Sequence, residues 1–190
     1  MEALKHSKYT YADYLTWDDE DRCEIIAGEF YSMSPAPIRK HQRIVSTLTG
    51  EIYGYLKGKP CEVYSAPFDV RLSEDTSYDH FIENVVQPDL SVFCDKKKLD
   101  DRGAVGAPDL VIEVLSPSTK DKDMNTKLLL YQRFGVTEYW IIDLDKEVVL
   151  TYTIDDFGRY PEAISLTDPS DVLTSKVLES FEIRLSEIFR

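Results

Sequence analysis

The chain has 190 residues, 43% of them hydrophobic and 30% charged, and its 22 Lys and Arg against 35 Asp and Glu give a net charge of −13. That length suits one folded domain over residues 1–190 with a sizeable core, and twelve Tyr argue against disorder. So large an acidic excess repels phosphate polyanions at long range and argues against a DNA substrate, although the local distribution of charge and metal ions in a carboxylate-rich cleft can offset it.

Residues 1–21 are studded with Lys, Asp and Glu and hold no apolar run like a signal peptide, and no later stretch reaches membrane-spanning length. A cytoplasmic protein with no membrane partner is expected. Cys23, Cys61 and Cys94 match no zinc or redox spacing and read as reduced, structural thiols.

Glu24-Ile-Ile-Ala-Gly-Glu-Phe-Tyr-Ser-Met33 reads as two short strands around a turn at Ala27-Gly28, and Pro35 and Pro37 then punctuate the chain. His41, Val45, Leu48, Ile52 and Tyr55 or Leu56 recur every three or four residues, which predicts a helix that Gly58 and Pro60 stop. Glu62–Tyr64 and Phe68–Leu72 read as strands, followed by a polar loop over 73–84. A strand is predicted over 85–93, with Pro88 marking an edge position or a strand end because it has no amide hydrogen. Residues 96–106 read as another loop.

Leu110-Val-Ile-Glu-Val-Leu115 is apolar on both faces except at Glu113, as in a strand covered on both sides. A helix is predicted from about Lys120 to Phe134, opened by a Ser118-x-x-Asp121 capping pattern and ended by Gly135. Two more strands follow, Tyr139–Asp143 and Val148–Thr153, with Asp145-Lys146 at their turn. A strand, a helix and a strand in succession imply a parallel crossover, hence an α/β fold with a mixed sheet flanked by helices. A Leu185, Ile188, Phe189 stripe closes the chain.

Glu113 is the first candidate for chemistry. A carboxylate in so apolar a strand costs several kcal/mol of desolvation unless protonated, paired or bound to metal. A salt bridge or a strand end reaching water would also satisfy it. Asp89 and Asp109 each follow a proline and are the nearby acids. Asp109 lies four residues from Glu113 on one strand, roughly 13 Å away at the usual rise, too far to share one ion. Asp89 lies on another strand and can meet Glu113 if the two strands pair, and two carboxylates with water suit Mg²⁺ or Mn²⁺. Asp123, Lys127 and Tyr131 recur every four residues and share one face of the following helix, from which Lys127 can reach the strand mouth. An Asp–Lys pair on a solvated face is the plainer alternative.

With these residues in place, the sequence resembles the Uma2 (DUF820) family of PD-(D/E)XK-like nucleases. The likeness runs through Glu24-Ile-Ile-Ala-Gly-Glu29, His41, Gln87-Pro-Asp89 and Ala107-Pro-Asp-Leu-Val-Ile-Glu-Val-Leu-Ser-Pro-Ser-Thr119. It continues through Asp123-x-x-x-Lys127-x-x-x-Tyr131 and Gly135-Val-Thr-Glu-Tyr-Trp-Ile-Ile-Asp143. It covers roughly Tyr9 to Tyr152, taken as the core at about 9–152. The resemblance implies a restriction-endonuclease-like core in which Asp89, Glu113 and the backbone carbonyl of Val114 hold Mg²⁺ or Mn²⁺. The lysine of the superfamily motif would fall at Leu115, and the resemblance implies that Lys127 takes its place from the next helix, with Tyr131 one turn on.

His41 reads first as a structurally satisfied histidine, with a role near the substrate as the alternative. Glu51 and Asp143 are more distant candidate acids, and Tyr139 and Trp140 read as core. The expected function is metal-dependent hydrolysis of phosphodiester bonds in DNA, with a homodimer as a possible assembly. The rival is a catalytically inactive nuclease-fold module for binding or assembly, which the −13 charge favours. A hydrolase of smaller phosphate compounds is a third reading, without a phosphate-cradling glycine loop to support it.

Overall fold

The structure, a computed structural model, describes residues 8–17, 22–33 and 36–190. Pro35 and most of the charged N-terminal stretch considered above lie outside the described residues.

After the single turn α1 (Tyr11–Tyr14), the hairpin β1 (Cys23–Ile26) and β2 (Glu29–Ser32) reverses at Ala27 and Gly28, with φ of 53° and 81°. A two-residue hairpin turn of this hand needs positive φ at both positions, and a Cβ on Gly28 would also collide with the Lys8 side chain. Helix α2 (Arg39–Leu56) buries Ile44, Val45, Leu48, Ile52 and Leu56, as its spacing predicts. Strand β3 (Glu62–Ser65) follows, and the expected Phe68–Leu72 strand shortens to β4 (Val70–Arg71).

The strand predicted over 85–93 is two strands, β5 (Val85–Val86) and β6 (Leu90–Phe93), in different sheets. Pro88 cannot donate to a ladder, so the chain leaves one sheet there and joins the other. The loop expected over 96–106 carries a small hairpin, β7 (Leu99–Asp100) and β8 (Gly103–Val105). Strand β9 (Leu110–Val114) leads to a π-helical segment over Lys122–Lys127, continued by α3 (Leu128–Phe134) and ended by Gly135 at φ 74°. Next come β10 (Glu138–Asp143), β11 (Val148–Thr153), β12 (Ile164–Leu166), β13 (Val172–Thr174), β14 (Glu182–Arg184) and α4 (Leu185–Ile188).

The result is the expected mixed α/β architecture, but with two six-stranded sheets, ordered β2-β1-β5-β4-β8-β7 and β12-β11-β10-β9-β6-β3. β9 and β10 run parallel, bridged by the α3 crossover, and β9 sits inside its sheet, which accounts for its apolar faces. One face of that sheet packs Leu90, Ile112, Val114 and Trp140 against α2. The other packs Val111, Leu115, Tyr139 and Ile141 against α3 and the second sheet. Leu173, Phe181, Ile183, Leu185 and Ile188 complete the α2 side, so the core extends well beyond the residue 152 limit. No helix among the described residues is long and apolar enough to cross a membrane.

The thiol expectation is corrected. Cys61 and Cys94 form a disulfide, because Glu62 pairs with Phe93 and the next residues outward therefore face each other across β3 and β6. Their separation of 33 residues hides this in the sequence. Reduction is expected to lower the unfolding free energy by about 3 kcal/mol through loop entropy restored to the unfolded chain. Urea titrations with and without dithiothreitol check this, and coincident curves would contradict it.

A candidate metal-binding active site

The site assembles where β6 and β9 meet. Leu90 lies opposite Ile112, so the antiparallel register carries Asp89 to a place opposite Glu113 one step on. Asp89 Oδ2 accepts the Val114 N–H at 2.8 Å, and the Asp89 N–H points at Glu113 Oε2 at 3.4 Å. Asp109 faces the other way along the strand and binds the Cys94 N–H at 2.7 Å, a structural bridge between strands.

The helix supplies the cation. Lys127 Nζ lies 2.7 Å from Glu113 Oε1, and the Tyr131 hydroxyl donates to the same oxygen at 3.1 Å. His41, at the first turn of α2, places Nε2 3.3 Å from Asp89 Oδ2. Asp89, Glu113, Lys127 and His41 thus line one cavity of about 750 Å³, with Tyr131 hydrogen-bonded to Glu113 behind its wall. Glu51 does not, being exposed on α2, and Asp143 pairs with Lys120 at 3.0 Å beside its own turn.

Two residues with no role assigned from the sequence, Glu24 and Lys122, join the ion-pair cluster. Glu24 on β1 is fully buried and takes Lys127 on one oxygen at 2.8 Å and Lys122 on the other at 2.6 Å. It also accepts the Gln87 N–H at 3.0 Å, which ties β1 to the turn that carries Asp89. Its signal was present: an acid in Cys-Glu-Ile-Ile is as anomalous as the one in Leu-Val-Ile-Glu. Lys122 gave no such signal, because α-helical spacing turns it away from Lys127.

Four carboxylates therefore gather at one site, Glu24, Glu113 and Asp123 paired with the two ammonium groups and Asp89 with His41. Burial pushes the Glu113 carboxyl up to about 8, against the pull of Lys127 and with the help of Asp123, Asp89 and Glu24. The same carboxylates overcome burial at Lys127 and hold its ammonium charged. Burial also raises Asp123. At His41 burial lowers the imidazole, but Asp89 and the Val114 backbone win and raise it. The cluster as a unit keeps a proton near neutrality.

That surplus of negative charge fits a hard divalent cation. Asp123 Oδ1 is buried without a hydrogen-bond partner, and the donors are all oxygens, the chemistry Mg²⁺ and Mn²⁺ prefer. Among the described residues no group of three or more His, Cys, Asp or Glu side chains is placed to hold a metal ion. Mg²⁺ does not require such a group, since it commonly binds through one or two carboxylates and keeps several waters. Asp89, Glu113 and Val114, the ligands implied by the family resemblance, all line the cavity.

Comparison with known proteins identifies the family. Residues 11–186 match the Uma2 family, described as "Putative restriction endonuclease". The chain belongs to the Uma2 family. An uncharacterised Synechocystis protein, slr1290, is 29% identical over 148 residues, covering 76% of this chain and 74% of that protein. A second uncharacterised Synechocystis protein, sll1609, is 27% identical over 139 residues, covering 70% and 74%. The crystal structure of an Anabaena variabilis protein described as a "putative nuclease belonging to DUF820" superposes with a TM-score of 0.76 at 20% identity, covering 95% of this chain and 97% of that one. The likeness in fold extends over nearly the whole of this Uma2 chain.

Proposed function

We propose that this Uma2 protein hydrolyses phosphodiester bonds in DNA with Mg²⁺ or Mn²⁺ held by Asp89, Glu113 and the Val114 carbonyl. The observation that carries the reading is the pairing of β6 with β9, which sets Asp89 against Glu113 at a cavity wall with Lys127 locked onto the second acid. A bound divalent ion there would lower the pKa of a water and offset the charge of the phosphate.

The protein residues prepare that site. Lys127 and Tyr131 fix one oxygen of Glu113, so the carboxylate cannot rotate away. The Val114 N–H and the His41 imidazole do the same for one oxygen of Asp89, leaving its other oxygen to face a ligand. Asp123 and Glu24 hold the Lys127 ammonium from the remaining sides.

Asp89→Ala is expected to lose Mg²⁺-dependent cleavage of linear, circular and branched DNA by on the order of 10³-fold. Its thermal unfolding should stay close to wild type, because the Asp89 side chain is 21% exposed and sits at a strand end. Calorimetry with Mg²⁺ and Mn²⁺ should show specific binding to wild type and none to the variant. Full cleavage by Asp89→Ala would sink the assignment. Absence of metal binding by the wild type would favour the inactive binding or assembly module.

A further inference from the structure

Lys122 and Lys127 grip the two oxygens of one buried acid, Glu24, and the local helix type is what allows it. At about 100° per residue, an α-helix would place residues five apart roughly 140° from each other. The segment Lys122–Lys127 is π-helical instead, and its hydrogen bonds reach five residues along, so the first and last side chains of the segment stack on one face. The extra residue in the turn rotates Lys122 into the site.

The two lysines then differ in what they can still do. An ammonium has three donors. Those of Lys127 face three carboxylates, Glu24 at 2.8 Å, Glu113 at 2.7 Å and Asp123 at 3.6 Å, and the side chain is only 4% exposed. Lys127 also borders the cavity, but its donors are turned towards these three carboxylates. Lys122 is 15% exposed, borders the cavity, and spends one donor on Glu24 at 2.6 Å, with the Tyr31 ring 5.7 Å from its nitrogen. It is joined to Glu113 through the chain Lys122–Glu24–Lys127–Glu113, so its charge stands beside the acid pair. Arg22 also borders the cavity, but it makes no ion pair with the cluster and reaches Glu24 only through Gln87.

A phosphate entering this cavity meets four carboxylates, and it needs a cation with donors left to give. We propose that Lys122 is that cation: it contacts the substrate phosphate, while Lys127 is a positioning residue for Glu24, Glu113 and Asp123. Glu24, clamped by the Gln87 N–H, aims Lys122 at the cavity. The inference rests on the phosphodiesterase reading and names the residue by which that site takes its anionic substrate.

The test is equilibrium binding of a fluorescein-labelled oligonucleotide across a salt series in EDTA, followed by steady-state cleavage in Mg²⁺. In Lys122→Met, affinity should fall about tenfold and the slope of log K against log salt should shrink by about one, the signature of a lost phosphate contact. KM should rise with kcat changed only a few-fold, and Lys122→Arg should restore both. A Lys122→Met protein with the wild-type slope and KM overturns the proposal. Reductive methylation of the wild type supplies a readout that no folding defect can obscure. Bound oligonucleotide should protect the Lys122 amine, and equal labelling with and without it also overturns the proposal. Wild-type protein that neither binds nor cleaves any oligonucleotide overturns the phosphodiesterase reading itself, and this inference with it, which is a result distinct from either failure at Lys122.

Discussion

Replacing Lys127 with Met is expected to lower the unfolding free energy by about 3–5 kcal/mol, the usual consequence of removing one partner from a buried ionic cluster. Met matches the length of the lysine stem and refills most of its volume, so the loss would report charge rather than a cavity. Without the ammonium, Glu24, Glu113 and Asp123 face one another in a site where each is less than a tenth exposed, with Lys122 as the remaining counterion at Glu24. Their only relief is to take up protons, so the deficit should widen as pH rises. Urea titrations across a pH series measure it. A deficit under about 1 kcal/mol at neutral pH would mean that the lysine is not what holds the acids together.

Glu113→Gln is expected to separate stability from activity. The wild-type carboxyl is pushed up to about 8 by burial and by its acidic neighbours, so a neutral amide imitates the form that the fold already favours near neutrality. Lys127 and Tyr131 can still donate to the amide oxygen, and the contact put at risk is the long 3.4 Å approach of the Asp89 N–H. Between the ordinary value of 4.5 and about 8, the folded wild type binds a proton that the unfolded chain has released. Its stability therefore falls as pH rises through that window. Glu113→Gln removes this dependence, so the variant should equal or exceed the wild type in stability, with an advantage that grows towards pH 8. Metal-dependent cleavage should nevertheless fall by on the order of 10³-fold, because an amide is a poor ligand for a hard cation. A variant that unfolds more readily than wild type at neutral pH would show that Glu113 is chiefly a structural ion-pair partner. Such an opposition between fold stability and site chemistry is common where charge is assembled for function.

Several site residues were legible from solvation alone. Glu113 in Leu-Val-Ile-Glu-Val-Leu is anomalous wherever the strand lies, because no apolar environment tolerates a lone carboxylate. Asp109 could be set aside by strand rise, and Asp123, Lys127 and Tyr131 could be grouped because four-residue spacing keeps side chains on one helical face. Other features were misread because local pattern is blind to partners. Val85–Phe93 reads as one strand, since periodicity cannot show that the chain crosses between two sheets at Pro88. Glu24 was quoted within a motif without a role, because the two lysines that use it lie about a hundred residues away in sequence.

The sequence by itself determined the α/β class, the apolar face of α2, the buried strand carrying Glu113 and the acids able to pair with it. All of these follow from periodicity and desolvation, which act within a few residues. Only the tertiary structure decided the Cys61–Cys94 bond, the contribution of the C-terminal strands to the core, the Glu24 bridge and the π-helical turn that brings Lys122 beside Lys127. Each depends on which distant segments register against one another, and burying three acids around two lysines rewards a helical distortion that no local propensity favours.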